Sequence, residues 1–433
     1  MALARPWAHN PDRRSCSRST ARLYYGRTPM MMRTLLAGSV LALAVIAPGT
    51  AQTSNEAVKL GVLTDMSSLY SDINGQGAVI ATQMAIDDFG GSVLGKKIEL
   101  ISADVQNKPD VAVAIANRWY DVDHVDAILG AGASSASIAA IGVAGEKKRM
   151  FFATDPASSD ITGKLCNAYT AHWVYDTAAL ANGTGSAVVK AGGKSWFFLT
   201  ADYAFGYALE RDVSAVVVAN GGTVVGSVRV PLNTPDFSSF LLQAQGSKAQ
   251  VIGLANAGGD TINSIKQAAE FGITKGGQKL AGLLVFITDV HSIGLPLAQG
   301  LQLTEAFYWD LNDGTRAFSK RFAVKWNGKM PTSIQAGYYS ATMHYLETVQ
   351  KVGTKNAETV MAALKAAPID DPLFGKGYLR ADGRKIHNMY LFEVKTPAES
   401  KGPFDYYKLI GTIPGEEAFR PMDKGECPLV KKS

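Results

Sequence analysis

Short apolar runs alternate with amphipathic stretches along the chain from residue 58 onward. Residues 58–63 (VKLGVL) are apolar and β-branched, as in a buried strand, whereas residues 75–89 repeat apolar positions at helical spacing. The same criteria predict further strands at 97–103, 126–130, 150–154, 195–200, 223–230, 251–255, 283–288 and 389–394. They predict further helices at 109–122, before 148, and at 205–220, 237–245, 259–271, 315–326, 333–351 and 356–366. This alternation is typical of an α/β protein with parallel sheets joined by right-handed crossovers.

The alternation forms two series, separated near residues 172–194. Two series predict two similar lobes rather than one large sheet.

A different pattern precedes the first strand. Arg33 stands before an apolar run over 35–46, which a Pro-Gly pair and small residues ending at Ala51 follow. This layout is typical of a secretory signal peptide, and the run is shorter than the ~20 residues that span a bilayer. We expect cleavage between Ala51 and Gln52, with residues 1–29 an over-extended start, and we expect export of the mature protein.

The net charge of +5 is concentrated in this leader. Residues 1–51 hold seven arginines and one acid, Asp12, and the acids and bases of the remaining chain balance to within one charge. Once the leader is removed, the chain has no excess of basic residues of the kind that binds nucleic acid, and we expect no nucleic-acid partner.

The turns that follow the strands carry the candidate chemistry, because ligands bind beyond the carboxyl ends of parallel strands. The first turn, residues 64–70, lacks the glycine spacing of a dinucleotide fingerprint or a P-loop. The histidines show no metal-ligand spacing, and no G-x-S-x-G elbow follows a strand. We therefore expect no cofactor, no metal and no catalytic residue.

The third turn, residues 130–137 (GAGASSAS), places small and hydroxyl residues at the start of a helix. Free backbone N–H groups and the positive end of the helix dipole suit a carboxylate or another small anion. The alternative is that Ser134 or Ser135 is only a helix N-cap, and the segment taken alone favours the cap. The fourth turn, residues 154–163, is again small and hydroxyl-rich.

Cys166 and Cys427 are the two cysteines that follow the leader. An even number of cysteines in an oxidising compartment predicts a disulfide between them, which requires Cα atoms within about 7 Å.

Taken together, several segments in order carry a resemblance to a known family. They read VKLGVLTDMSSLYSDINGQGAVIATQMAIDDFGG, GKKIELISADVQNKPDVAVAIANRW, ILGAGASSAS, TDPASSDITG and ADYAFGYALE. From about Val58 to its end, the chain resembles the type 1 periplasmic substrate-binding proteins of ATP-binding-cassette importers, in particular the leucine/isoleucine/valine-binding group.

The resemblance implies two Rossmann-like lobes joined by three crossovers that close on a small ligand. Lobe 1 is then expected over 52–175 and 309–384, lobe 2 over 176–308 and 385–424, and a C-terminal tail over 425–433. Ser134 corresponds to the serine that binds the ligand carboxylate. The other residues placed at the ligand by the resemblance or beside such positions are Tyr70, Ser135, Asp155, Ala157, Ser158, Tyr203 and Phe205.

The sequence also departs from the family. The usual Ser-Gly-Pro of the first loop reads Met66-Ser67-Ser68. The region in which the family often places an acid for a ligand ammonium reads Ile287-Thr288-Asp289-Val290, so Asp289 is the candidate ligand residue there. Aromatic residues near the expected cleft favour an aromatic acid or a branched-chain amino acid as ligand. They are Tyr70, Trp173, Tyr175, Tyr203, Phe205, Tyr207, Tyr308 and Trp309.

We therefore predict a periplasmic solute-binding protein that delivers a small carboxylate to an inner-membrane permease. A ligand sensor with the same fold is the first alternative, and co-encoded permease and ATPase subunits would distinguish the two. An α/β enzyme is the second alternative, but it requires a phosphate-binding loop or a catalytic group that the sequence does not show.

Overall fold

The computed structural model describes residues 57–431. The predicted leader and its cleavage site lie outside the described residues. Within residues 57–431, no helix combines the length and the apolar character that a membrane span requires.

A six-stranded sheet organises the first part of the chain, which we call lobe 1. Its spatial order is β2-β3-β1-β4-β5-β6, and every neighbouring pair is parallel except the short β2 with β3. The strands are β1 (Val58–Thr64), β2 (Ser92–Val93), β3 (Lys96–Asp104), β4 (Ala127–Gly130), β5 (Met150–Ala153) and β6 (Thr170–His172). The helices between them are α1 (Gly75–Phe89), α2 (Pro109–Asp121) and α3 (Ser134–Lys147).

A four-stranded parallel sheet of order β10-β9-β7-β8 organises lobe 2. Its strands are β7 (Ser195–Ala201), β8 (Thr223–Val230), β9 (Val251–Ala255) and β10 (Lys279–Gly282). Its helices are α4 (Thr177–Leu180), α5 (Ser186–Lys190), α6 (Ala204–Ala219), α7 (Ser238–Gly246), α8 (Gly259–Glu270), α9 (Ile287–Ile293) and α10 (Leu295–Ala298), with a π-helical turn between α4 and α5.

The last third of the chain contributes to both lobes. An antiparallel sheet of β11 (Gln302–Glu305), β15 (Met389–Val394) and β16 (Tyr407–Ile413) shares the apolar core of lobe 2. A second antiparallel sheet contains β12 (Pro368–Asp371), β13 (Gly375–Leu379) and β14 (Lys385–Ile386). The remaining helices are α11 (Asp313–Lys325), α12 (Ser333–Val352), α13 (Ala357–Ala366) and α14 (Gly415–Ala418).

Helix α12 returns to lobe 1 and packs closely on α1. A Cβ at Gly77 of α1 would lie 2.2 Å from Nε2 of Gln335, so the Gln335 side chain could not keep this position beside a larger residue. The Gln335 amide uses the space to donate to the backbone oxygen of Asn74 at 3.2 Å. The Thr332 side chain caps α12 and donates to the Ile73 carbonyl at 2.6 Å. The first loop of lobe 1 is thereby fixed to α12.

The C-terminal tail also returns to lobe 1. Cys427 is paired with Cys166 in a disulfide, with Cα atoms 5.6 Å apart. The Arg420 guanidinium donates to the Ser159 carbonyl at 2.9 Å nearby. The tail beyond β16 is therefore held to the segment between β5 and β6.

One predicted strand is wrong. The pattern placed a strand at 283–288, but β10 ends at Gly282 and helix α9 begins at Ile287. The run LLVFI is buried on all sides, and periodicity alone does not distinguish a buried strand from a buried turn and helix start. Strands β2, β6, β10, β11, β12, β13, β14 and β16 were not predicted.

A candidate ligand-binding cleft between the lobes

The two parallel sheets direct the carboxyl ends of their strands toward a common cleft. The cleft contains a small cavity of about 30 Å³ between the lobes. Its lining comes from both lobes and consists of Tyr70, Ile73, Asn74, Gly132, Ala133, Ser134, Asp155, Pro156, Ala157, Tyr175, Tyr203, Phe205, Ala257, Leu284, Phe286 and Ile334.

The first loop of lobe 1 is organised by the fully buried carboxylate of Asp65. Its oxygens accept hydrogen bonds from the backbone N–H groups of Ser68 and Tyr70, both at 2.9 Å. The Asn107 amide donates to the same carboxylate at 2.7 Å and accepts from the N–H of Ala133 at 2.9 Å. The loop that carries Tyr70 is thereby connected to the third turn.

The third turn has an unusual backbone. Gly130, Ala131 and Gly132 have φ of 99°, 83° and 63°, a region that a residue with a side chain rarely adopts. A Cβ at Gly132 would lie 2.6 Å from Oδ1 of Asn107. Such outliers cluster at binding sites, where the surrounding structure enforces them. Here the turn directs successive N–H groups toward polar side chains beside the cavity.

Ser134 is the first residue of α3 and is not its N-cap. The cap residue is Ala133, and no side chain caps the helix. The Ser134 hydroxyl instead accepts hydrogen bonds from the N–H groups of Ala157 and Ser158, both at 3.2 Å. Because both bonds use its lone pairs, its own proton remains available to a ligand. The capping alternative is therefore wrong for both serines.

Asp155 contributes its side chain as well as its backbone. Its Oδ2 accepts from the N–H of Gly132 at 2.7 Å and from the Thr64 hydroxyl at 3.2 Å. The Asp155 carbonyl accepts from the Tyr175 hydroxyl at 2.9 Å. Burial raises the pKa of the Asp155 carboxyl to about 7, although these hydrogen bonds favour its ionised form.

Lobe 2 covers the cavity with apolar groups. Tyr203 and Phe205 stand at the start of α6 with ring centroids 5.8 Å apart. Phe286, just before α9, lies edge-on to Tyr175 with centroids 6.0 Å apart. The hydroxyl of Tyr203 forms a hydrogen bond with that of Tyr70 across the cleft.

Further hydrogen bonds join the lobes at the rim of the cleft. The N–H of Gly259 donates to the carbonyl of Leu69 at 3.2 Å, and that of Ala204 donates to the Ser135 hydroxyl at 3.4 Å. At another position Arg211 pairs with Asp160 at 2.9 Å. The structure is therefore in a closed conformation.

Six of the nine ligand residues predicted from the sequence line the cavity, namely Tyr70, Ser134, Asp155, Ala157, Tyr203 and Phe205. Ser135 and Ser158 do not line it, but each lies beside a residue that does. Asp289 does not line it either, and its carboxylate accepts from the N–H of Phe286 at 2.9 Å at the start of α9. Burial raises the pKa of Asp289 to about 7.

The other predicted aromatic candidates separate into two groups. Tyr175 lines the cavity, whereas Trp173 is buried with its indole N–H bonded to Ser340 at 2.7 Å. Tyr207 is 45% exposed on α6, and Tyr308 belongs to the core of lobe 2. Trp309 packs partly buried against the core clusters.

The apolar wall formed by Ala257, Leu284 and Phe286 was not predicted from the sequence. A signal was present, because Ala257 follows β9 and the apolar run 283–286 follows β10. Both segments stand at carboxyl ends of parallel strands, where ligands bind.

Fold and cleft together define a two-lobed α/β protein with a small cavity between its lobes. A family model described as periplasmic binding protein matches residues 57–403, and the chain belongs to that family. This membership confirms the predicted fold class and the solute-binding role in place of an enzymatic one. Within residues 57–431, no cluster of three or more histidine, cysteine or acidic side chains is arranged to hold a metal ion.

Solved structures and a curated relative agree with this family. A periplasmic binding protein from Burkholderia mallei is 53% identical, with 87% of this chain and 99% of that chain covered and a TM-score of 0.85. A branched chain amino acid ABC transporter periplasmic ligand-binding protein from Burkholderia xenovorans is 43% identical, with 86% and 99% covered and a TM-score of 0.77. The "Leu/Ile/Val-binding protein homolog 6" of Brucella melitensis is 23% identical over 59% of this chain and 66%, just under two thirds, of its own length.

Proposed function

We propose that this protein captures a small carboxylate, either a branched-chain amino acid or an aromatic acid, and delivers it to an inner-membrane permease of an ATP-binding-cassette importer. The observation that carries the proposal is the closed cavity, with the Ser134 hydroxyl on one wall and rings on the other. Ser134 donates to the ligand carboxylate, and the apolar wall accepts the side chain.

The composition of the lining supports this class of ligand. Most lining residues are apolar or aromatic, and the polar ones include Ser134 and Asp155, which lie on neighbouring turns of lobe 1. A sugar presents hydroxyls on every side and would leave many of them without partners in such a cavity. A molecule with one polar end and one apolar end matches the distribution.

The relative from Burkholderia xenovorans supports the same class by its description as a branched chain amino acid ligand-binding protein. Capture in the periplasm follows from the predicted signal peptide and from the family. We take the two rigid parts to follow the boundaries expected from the sequence, 52–175 with 309–384 and 176–308 with 385–424, except that the residues beyond β16 are held to lobe 1. Their closure about the crossovers presents the loaded form to the permease.

A thermal-shift screen of the protein exported by its own leader tests this proposal. The screen contains branched-chain amino acids, benzoate, hydroxybenzoates, sugars and nucleotides. A ligand at 100 times its dissociation constant adds about 2.7 kcal/mol to stability, which is readily measured. We expect stabilisation by at least one carboxylate and none by sugars or nucleotides. Strong stabilisation by a sugar, with no stabilisation by any carboxylate, would overturn the assignment of a carboxylate ligand.

A further inference from the structure

An acid occupies the end of the cavity where the ligand carboxylate is placed. Oδ2 of Asp155 lies 2.7 Å from the N–H of Gly132, two residues before Ser134 in the same turn. The Asp155 carboxyl thus accepts from one of the N–H groups that this turn would offer to a bound anion. Asp155 itself is 5% exposed.

No cation offsets this charge at the cavity wall. The described residues that line the cavity include no lysine, arginine or histidine. His172 contacts the lining residue Pro156, whose carbonyl lies 2.7 Å from the His172 Nε2. Burial, followed by the charge of Arg384, holds the pKa of His172 well below its usual value, so its ring is neutral.

The other groups that face Asp155 are neutral or acidic. Asp65 of the first loop adds a like charge, while Thr64 at the end of β1 donates a hydrogen bond. Tyr338 of α12 lies beside the carboxyl, and the Tyr175 hydroxyl bonds to the Asp155 carbonyl. Burial raises the pKa of both phenols well above its usual value, so neither carries charge.

Two carboxylates held close together in such a low-dielectric site cannot both ionise without a large electrostatic cost. One shared proton removes that cost and converts the repulsion into a hydrogen bond. Asp155 is the group that holds the proton more readily, because its burial opposes ionisation.

We propose that a carboxylate ligand enters this cleft together with one proton from solvent, which it shares with Asp155. This inference rests on the proposed function, since it requires the ligand to present a carboxylate near Ser134. Uptake of a monoanion then leaves the charge of the closed cleft unchanged.

The sign of the pH dependence follows from this linkage. The bound state holds one more proton than the free state wherever free Asp155 is ionised, so affinity falls as pH rises. Burial in the closed form favours the protonated acid, so affinity is expected to fall about tenfold per pH unit above the pKa that Asp155 has in the open, ligand-free form. Below that pKa free Asp155 already carries the proton, and the dependence flattens.

Titration calorimetry with benzoate and with L-leucine measures this proton directly. Binding enthalpies at pH 8 in phosphate and in Tris differ in proportion to the protons taken up, and we expect about one per ligand. Asp155→Asn should abolish both the uptake and the pH dependence. Asp289→Asn is the matched control, because Asp289 is an equally buried acid outside the cavity lining, and it should retain both.

The outcomes separate this proposal from the proposed function. Binding at pH 8 without proton uptake overturns the shared proton and leaves the carboxylate assignment intact. Leucine binding that needs no proton and is lost in Asp155→Asn overturns it too, since Asp155 would then be ionised against the ligand ammonium. Binding of neither probe, together with stabilisation by a sugar, overturns the proposed function itself. Wild-type uptake decides the question even where Asp155→Asn does not fold.

Discussion

The two walls of the cleft are built on opposite principles. The wall from lobe 1 is a hydrogen-bonded network in which Asp65, Asn107 and Asp155 hold the loops that carry Tyr70 and Ser134. The wall from lobe 2 is mostly apolar and is formed by Tyr203, Phe205, Ala257, Leu284 and Phe286. Polar recognition is therefore fixed in one lobe, and apolar burial is added when the other lobe closes.

This division has an energetic reason. Polar groups contribute to affinity when their positions are set before the ligand arrives, because ordering them at binding costs free energy. Apolar contacts are not directional, so a wall that moves can supply them without loss of geometry. Variants of each wall, and of the contacts between them, test whether the two contributions are separable.

Ser134→Ala should have the largest effect, because it removes a donor to a charged group from the polar wall. Such a bond is worth about 1.5–3 kcal/mol, which corresponds to roughly 10- to 150-fold in affinity. The variant also leaves two buried N–H groups, those of Ala157 and Ser158, without their acceptor. We therefore expect a stability loss of about 1–3 kcal/mol as well, measured by denaturant unfolding beside calorimetry.

Ser135→Ala is the control for that variant. Ser135 is the next residue on α3, and its hydroxyl accepts only from the N–H of Ala204 at 3.4 Å. Affinity should change by less than about threefold. Equal losses in the two variants would contradict the role given to Ser134.

The polar wall was largely predictable from the sequence, and the apolar wall was not. The small-residue turn between a strand and a helix offered an anion site or an N-cap and by itself favoured the cap, so Ser134 was assigned to the ligand through the resemblance. The side-chain role of Asp155 depends on the N–H of Gly132, 23 residues away, and on a turn geometry that includes Ala131 at positive φ. The resemblance placed Asp155 at or beside the ligand without assigning this role to its carboxylate.

Lobe 2 shows the complementary limit. Phe286 lies in an apolar run, LLVFI, that is buried on all sides, so the sequence contains no polar position to mark where the strand ends. Closure fixes which of the rings meet the cavity, and this depends on contacts between segments far apart in the chain. Trp173 and Phe205 were both among the aromatic residues near the expected cleft, and only Phe205, which the resemblance also placed at the ligand, lines the cavity.

Gly258→Ala should weaken closure by crowding the first loop of lobe 1, where the added Cβ would also lie 2.9 Å from Cδ1 of Tyr70. Gly258 has φ of 55°, and a Cβ there would lie 2.6 Å from the Leu69 carbonyl across the cleft. Strain of this kind costs roughly 1–3 kcal/mol in the closed form, so affinity should fall about tenfold.

Gly277→Ala separates that effect from backbone strain alone. Gly277 also has a positive φ, 98°, but nothing lies within 4 Å of its Cβ position. This variant should lose some stability and keep its affinity. A similar loss of affinity in both variants would show that strain, and not the contact between lobes, is responsible.

Tyr203→Phe should have the smallest effect, because it removes one hydrogen bond between neutral groups and keeps the apolar ring. The hydroxyls of Tyr203 and Tyr70 meet across the cleft, and Tyr70 is only 6% exposed, so its hydroxyl loses a partner in the closed form. A bond of this class contributes about 0.5–1.5 kcal/mol, which corresponds to roughly two- to tenfold in affinity. Tyr207→Phe is the matched control on the same helix, since Tyr207 is exposed and bonds to Asp202 of its own lobe. Calorimetry of both variants should show a loss for Tyr203→Phe alone; an unchanged affinity there would mean that the apolar wall closes without help from this polar contact.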